Sequence, residues 1–341
     1  MNAPTPTPRR DPTDRPVSAQ VVTIGETMAM MRSGQVGSLA HLPSVDISLA
    51  GAESNVAIGL QRLGVQAAWV SRVGHDPLGT RVMREIRAEG VGVHCRVDPE
   101  RPTGLMLKSR PTATTTRVDY YRAGSAASAL SPADLPDALV EDADVLHLSG
   151  ITPMLSESAA RAMTAAVDRA VAAGTRISLD VNYRSRLGSR ERLGDLLAGV
   201  LPHVDIVFGG PEELTILAPG HAEDDNEYDE ADLAALLRAV ATLGPAEVVA
   251  KLGADGATAL RHGELTHGPG QVVDVVDTVG AGDAFVAGYL SAVIAGADSA
   301  TRLDRANSCG AFACTTPGDW ESAPFAEDLA AGQDGGDPVS R

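Results

Sequence analysis

Aromatic residues are scarce in this chain: Phe, Tyr and Trp together make up 3% of 341 residues. With hydrophobic content at an ordinary 44%, the core must be built from Ala, Leu and Val. Cysteine is scarce too. Cys95, Cys309 and Cys314 are odd in number, scattered and without metal-ligand spacing. That excludes a disulfide framework and fits a reducing cytoplasm. No apolar run reaches the ~18 residues of a membrane span. The longest, Ala284 to Ala297, contains Gly288 and Ser291. Positive charge is also short: 28 Lys and Arg face 45 Asp and Glu, a net charge of −17. Such a balance excludes non-specific binding to nucleic acid or anionic membranes. It does not exclude an anionic small molecule, because a local arginine pair can override a distant negative surface. Met1 to Ala19 has no apolar h-region, so it is expected to be a disordered tail rather than a signal peptide. Ala330 to Arg341 is expected to be a frayed tail, and no internal repeat is visible.

What is present is an alternation of short apolar runs and amphipathic stretches. Runs at 20–25, 67–73, 144–149, 176–180, 205–208 and 247–251 read as strands. Helical spacing covers 56–63, 78–89, 156–173, 190–201, 230–243 and 284–297. This order predicts a doubly wound, mostly parallel α/β sheet flanked by helices, with ligands beyond the C-terminal strand ends. One domain is expected over 20–329. Two stretches, 28–49 and 103–123, alternate apolar and polar residues and read as antiparallel strands outside the main sheet. The acidic stretch His221 to Asp232 reads as a solvated loop rather than a metal site.

The most informative segment is Asp277-Thr-Val-Gly280-Ala-Gly-Asp283-Ala-Phe. It places Gly280, Ala281, Gly282 and Asp283 at the start of an apolar helix. Free N–H groups and the helix dipole there favour an anion. A carboxylate beside an anion hole suits transfer of a phosphoryl group to a hydroxyl. The string is neither a P-loop nor a dinucleotide fingerprint. Other candidates lie near strand ends. Gly51 and Asn55 stand in Ala50-Gly-Ala-Glu-Ser-Asn55, where Asn55 can donate to and accept from hydroxyls. A helix cap by Ser54 or Asn55 is the alternative. Arg122, in Asp119-Tyr120-Tyr-Arg122, and Arg184, in Asp180-Val-Asn-Tyr-Arg184, suit bidentate capture of a carboxylate.

The segment Asp277 to Phe285 closely resembles the C-terminal signature of the ribokinase-like (PfkB) carbohydrate kinases. The resemblance extends over about Val21 to Leu329. The Tyr120–Arg122, His147–Thr152 and Asp180–Arg184 strings are similar to those of 2-keto-3-deoxygluconate (KDG) kinases within that group. The resemblance implies a ribokinase-like fold in which the two alternating stretches form a small β-sheet lid. It implies ATP and Mg²⁺ as partners in catalysis, and a sugar acid as the acceptor. In it, Asp283 is the base, Gly280 to Gly282 hold the migrating phosphoryl, and Gly51, Asn55, Tyr120, Arg122 and Arg184 contact the sugar. Lys251, Gly253, Gly256 and Asn307 fall on the nucleotide side. Glu213 reaches Mg²⁺ through water. Relatives have a monovalent-cation site beside the Asp277 loop, so K⁺ is carried as an optional activator. They often form dimers through the lid.

The chain departs from the pattern at four places. Ala50 replaces the usual first glycine. Met106 stands where Tyr is common, Gly188 where Trp is common, and Gly210 where the Asn of Asn-x-x-Glu is expected. The first strand ends Gly25-Glu-Thr-Met28, without the N-x-D that ribokinases use, which counts against ribose. The expected activity is phosphorylation of the 6-hydroxyl of KDG. Alternatives are 5-dehydro-2-deoxygluconate kinase, fructokinase, 2-keto-3-deoxygalactonate kinase and a non-catalytic sugar-binding relative. An ordinary pKa near ~4 suffices for Asp283, because a loose transition state leaves the hydroxyl proton until late.

Overall fold

The computed structural model describes residues 19–112, 114–220 and 228–333. Residues 1–18 of the expected N-terminal tail and most of the acidic stretch lie outside them, while Ala19, assigned to the tail, is buried in the core. Five strands precede residue 100: β1 (Val21–Ile24), β2 (Met28–Val36), β3 (Asp46–Ala50), β4 (Ala67–Gly74) and β5 (Gly92–Asp98). Then come β6 (Leu105–Thr112), β7 (Thr115–Tyr121), β8 (Val145–Ser149), β9 (Arg176–Asp180), β10 (Ile206–Gly209), β11 (Glu247–Lys251), β12 (Ala257–Arg261) and β13 (Glu264–Gly268). Nine strands form one sheet in the order β13-β12-β11-β10-β9-β8-β1-β4-β5. Pairing is parallel from β11 to β5, and β12 and β13 close one edge as antiparallel strands. The order reverses at β1, where strands run on to β8 on one side and β4 on the other. Ligand crevices form at such switch points.

The central strands are apolar on both faces because helices cover both. Val21, Val22, Ile24, Leu146, Leu148, Leu179 and Val207 are buried. One core cluster is almost wholly aliphatic, with Ala162, Ala166, Val167 and Leu236 packed on the sheet. The aromatics gather on the other face. Phe208 meets Tyr289 edge-on at 5.1 Å and Phe285 at 6.5 Å. That compact cluster seats the helix that carries Asp283.

The helices are α1 (Ala52–Arg62), α2 (Pro77–Ala88), α3 (Ile151–Leu155), α4 (Glu157–Ala173), α5 (Arg190–Ala198) and α6 (Pro211–Leu217). They continue as α7 (Glu230–Ala241), α8 (Ala281–Ile294), α9 (Ser299–Ala313) and α10 (Ala326–Gln333). Asp229 caps α7 by accepting from Ala231 and Asp232 N–H, so the end of the acidic stretch serves as a helix cap. Because α10 runs to Gln333, the C-terminal tail cannot begin at residue 330.

The lid is present as a four-stranded sheet in the order β3-β2-β6-β7. One expectation is corrected. β2 and β6 pair in parallel, Met30 opposite Met106, so the lid is mixed rather than antiparallel. Both strands leave the core sheet in the same direction, and only β3 and β7 turn back beside them. Met28, Met30, Ala50 and Met106 make the buried face of the lid, with Val118 and Tyr120 against it. Among the described residues, no helix is long and apolar enough to cross a membrane.

Candidate active site

A cavity of about 380 Å³ lies between the lid and the C-terminal ends of β1, β8, β9 and β11. Gly51, Asn55, Tyr120, Arg122, Arg184, Glu213, Lys251, Gly280, Gly282 and Asp283 all border it. A second cavity of about 540 Å³ shares Lys251, Thr278 and Gly282 with the first. Gly253, Gly256, Ala281 and Asn307 border that one. The residues expected on the sugar side and the nucleotide side thus fall into two adjoining spaces with the anion hole between them.

Gly280 makes this junction. Its φ is +78°, the left-handed region that favours glycine, and it caps α8. A Cβ there would stand 1.8 Å from the Asp319 carbonyl oxygen. The helix therefore starts at Ala281, three residues earlier than the apolar periodicity suggests. The N–H groups of Gly282 and Asp283 belong to its first turn and have no intrahelical acceptor. They point the positive end of α8 at the junction.

Asp283 sits within that first turn. Its Oδ2 accepts from Asn55 Nδ2 at 2.8 Å, and the same amide donates to Asp319 Oδ1 at 2.9 Å. Burial, reinforced by the neighbouring Asp319 charge, raises the Asp283 pKa to about 8 despite the Asn55 hydrogen bond. Burial and the Glu321 charge raise Asp319 to about 7. Asp283 therefore lies well above the ordinary carboxylate pKa near ~4 that would suffice for the base: two carboxylates facing one amide in a desolvated pocket cannot both ionise cheaply. Among the described residues Asn55 Oδ1 has no partner, so this buried residue retains acceptor capacity toward the cavity. Neither Ser54 nor Asn55 caps α1, which starts at Ala52 with Gly51 as its cap.

Gly51 has extended φ, and close approach explains it. A Cβ would meet Glu26 O at 2.5 Å and Thr27 Cα at 2.8 Å. The close backbone approach at Gly51 is therefore to the β1–β2 turn.

The two arginines differ. Arg122 donates Nε to Glu26 Oε2 at 2.7 Å and pairs through Nη2 at 2.6 Å. Ser125 holds the other Glu26 oxygen. Glu26 thus occupies two of the five Arg122 N–H groups and neutralises its charge, so Arg122 is corrected from free carboxylate receptor to half of a buried ion pair. Arg184 is exposed and donates to its neighbour's carbonyl, Tyr183 O, at 3.2 Å. It has no carboxylate partner among the described residues. Its charge lowers the pKa of both Asp283 and Asp319, against the effect of burial. Tyr120 lies under Arg122 and Arg186, with guanidinium carbons 5.8 and 6.0 Å from the ring centre.

Lys251, at the end of β11, contacts both oxygens of Asp180, at 2.9 and 2.7 Å. Burial opposes its charge, but Asp180 and Glu213 outweigh burial and hold its pKa above the ordinary value. Its ammonium stands 3.7 Å from where a Gly282 Cβ would be. Lys251 is therefore placed at the floor of the anion hole. Gly253 (φ +61°) and Gly256 (φ +90°) form the turn after it.

Two expected nucleotide-side residues serve the protein as well. Asn307 Nδ2 donates to the carbonyls of Gly268, at 2.9 Å, and Pro269, at 3.1 Å, fastening α9 to the end of β13. Glu213 accepts from Gly210 N and Tyr183 N, each at 2.9 Å. Gly210 needs no side chain for this cap, so loss of the usual Asn leaves Glu213 in place.

Sequence reasoning missed four acidic residues and one lysine. Glu26 and Asp180 are the partners of Arg122 and Lys251. Asp319 faces Asp283. Glu53 is buried, accepts from Ser149 and from Thr152 Oγ1 at 2.9 Å, and its Oε2 has no partner among the described residues. Burial raises its pKa. The His147–Thr152 string thus acts by holding Glu53, while His147 itself is buried and bonded to Ser178 at 3.0 Å. Lys108 reaches Asp277 from the lid.

A ribokinase-like α/β sheet with a β lid, an anion hole at a helix start and a carboxylate in its first turn defines a sugar kinase. Residues 18–326 match the model of the pfkB family carbohydrate kinases. The chain belongs to that family. It is 37% identical to the 2-dehydro-3-deoxygluconokinase of Bacillus subtilis, covering 91% of this chain and 94% of that one. It is 34% identical to the 2-dehydro-3-deoxygalactonokinase of Haloferax volcanii, with 89% and 93% covered. Among solved structures, a putative ribokinase II of Escherichia coli in complex with ATP and Mg²⁺ is similar, with 26% identity, a TM-score of 0.82 and 93% and 99% covered.

Proposed function

We propose that this kinase transfers the γ-phosphoryl group of ATP to the 6-hydroxyl of KDG, also called 2-dehydro-3-deoxygluconate. The observation that carries the sugar-acid reading is Arg184, an exposed guanidinium on the cavity wall without a carboxylate partner among the described residues. The similarity to a 2-dehydro-3-deoxygluconokinase supports it. The sugar lies under the lid with its carboxylate on Arg184 and its hydroxyls on Asn55 and the Gly51 turn. Tyr120 and the unused N–H groups of Arg122 flank it.

The hydroxyl gives its proton to Asp283 as the new O–P bond forms. The bridging O–P bond of ATP breaks and ADP leaves. Asn55 holds Oδ2, so Oδ1 receives the proton. A base whose pKa lies near the working pH suits this step. The N–H groups of Gly282 and Asp283, with Lys251, balance charge on the moving phosphoryl.

ATP occupies the second cavity, between the Gly253–Gly256 turn and Asn307. Glu213 would hold Mg²⁺ through a water, and the ion would supply charge neutralisation to the phosphates. Lys108 already places a protein cation on Asp277, so added K⁺ is expected to change the rate little. The setting is cytoplasmic, in keeping with three free cysteines. A dimer would use the lid, where Val36, Ile47 and Tyr121 are exposed.

A galactonate-type or neutral sugar is the second reading, supported by the 2-dehydro-3-deoxygalactonokinase relative. ADP release with KDG, its C4 epimer, 5-dehydro-2-deoxygluconate, fructose and ribose decides between them. A kcat/KM for KDG at least ~100-fold above the neutral sugars corresponds to about 2.7 kcal/mol of differential transition-state binding. A preference for fructose or ribose overturns the sugar-acid pocket and leaves the kinase.

A further inference from the structure

The inward face of the lid is apolar at Met28, Met30, Met106 and Val118 and turns polar further along, where Arg32 lies opposite Lys108 and Ser48 opposite Met30. Met106 and Lys108 alternate along β6 and so share a face. Around them stand Met28, Met30, Val118 and Tyr120. An ammonium on an apolar face is costly unless it is paired. Lys108 is paired across the cavity: its Nζ lies 2.7 Å from Asp277 Oδ2, with side chains 11% and 22% exposed. The other oxygen of Asp277 accepts from Val279 N at 3.2 Å, inside the turn that ends at Gly280. The Asp277 N–H bonds to Cys314 O at 3.3 Å, which ties the start of the turn to the end of α9. One carboxylate therefore joins the lid sheet to the turn that shapes the anion hole. The two residues are 169 positions apart in the chain.

We propose that the Lys108–Asp277 ion pair couples lid closure over the sugar to the shape of the Gly280–Gly282 anion hole, so that sugar binding prepares the site for ATP. Lys108 is thus a positioning residue. It acts on the phosphoryl site through Asp277, and the coupling rests on the kinase reading of the site. A lid held away by an absent sugar leaves Asp277 unpaired and the turn loose. A lid drawn down by the sugar restores the pair and fixes the turn. The consequence is positive cooperativity between sugar and nucleotide, and little ATP hydrolysis when the sugar is missing.

Lys108→Met tests this, since Met keeps the stem among the lid methionines and removes the charge. Its melting temperature is compared with wild type first, and Asp277→Asn serves as the reciprocal variant. Two readouts follow. With KDG bound and no nucleotide, where wild type holds the pair, amide hydrogen exchange of residues 278–283 is expected to be about tenfold faster in both variants than in wild type. Unchanged exchange overturns the proposal. Titration with Mg²⁺ and β,γ-methylene-ATP, with and without KDG, then measures the coupling factor. Wild type is expected to bind the analogue about tenfold tighter with KDG present, within the usual range of coupling. Lys108→Met is expected to lose that gain while its affinity for KDG alone changes less than about twofold. A variant that keeps the wild-type gain overturns the coupling. Weakening by the same factor with and without KDG also overturns it, and makes Lys108 a direct phosphate contact. Wild type that fails to bind KDG overturns the substrate reading instead, and the same two readouts with the panel sugar that supports ADP release then decide the coupling.

Discussion

Asp283 and Asp319 face each other across a single amide group: Asn55 Nδ2 donates to one at 2.8 Å and to the other at 2.9 Å. The pair explains why the pKa of Asp283, the proposed base, lies far above that of an ordinary aspartate. Burial disfavours both charges, and each charge disfavours the other. In the ligand-free enzyme the pair shares one amide and cannot be fully ionised near neutrality.

The pH dependence follows with a definite sign. As the proposed base, Asp283 must be ionised to accept a proton, and burial with the Asp319 charge raises its pKa to about 8. kcat/KM reports the free enzyme. It is therefore expected to fall as pH drops through the region near 8. Asp319→Asn removes the neighbouring charge, so the acid limb of the kcat/KM profile should move to lower pH. An unmoved limb would show that Asp319 does not act on the base.

Stability carries the same signature. The folded pKa values of Asp283 and Asp319 lie above the unfolded ones, so the native state binds more protons between about pH 4 and 8. Their contribution is fully present below the unfolded pKa and is lost as pH rises through the folded pKa. Asp319→Asn should melt higher than wild type at pH 8 and show a smaller difference at pH 5. Thermal unfolding at both pH values checks this.

Arg184 and Arg122 should separate cleanly. Arg184→Gln is expected to lower kcat/KM for a sugar acid by ~10²-fold while barely changing a neutral sugar, since it removes a charge-assisted hydrogen bond from the substrate alone. Arg122→Gln strands buried Glu26 and should destabilise the fold by about 3–5 kcal/mol. Denaturant unfolding of both variants, beside kinetics on both sugars, distinguishes the roles. Equal loss for both sugars in Arg184→Gln contradicts carboxylate capture.

Gly280→Ala should cripple turnover without unfolding the protein. An Ala at φ +78° costs about 1–3 kcal/mol. Its Cβ would also collide with the Asp319 backbone, so the turn must move. A displaced anion hole should lower kcat by ~10²–10³, the loss seen when one oxyanion donor is removed. Steady-state kinetics with a melting curve as control measures it.

The sequence revealed most of the main sheet, and physics says why. Apolar runs such as Val21–Ile24 and Glu247–Lys251 are bounded by glycine or polar residues and flanked by helical periodicity. Alternation at Leu105–Lys108 revealed lid strands, but alternation carries no information about the direction of a partner strand. The parallel β2–β6 pairing was therefore not legible. Within the site, Gly280 to Asp283 announced itself because local geometry makes the anion hole. The ion pairs did not. Glu26 lies 96 positions from Arg122, and Asp180 lies 71 from Lys251. A charge directly after the apolar run Val21–Gly25 was the one local hint of Glu26. Asp319 lies in an irregular stretch after α9 and had no periodic signal at all.

The most direct test of the site is Asp283→Asn, assayed for ADP release with KDG and for binding of KDG and β,γ-methylene-ATP. The substitution keeps the shape and removes the base. It should lower kcat by roughly 10²–10⁴ while both dissociation constants stay within a few-fold. Turnover near the wild-type rate would contradict the assignment of Asp283 as the base.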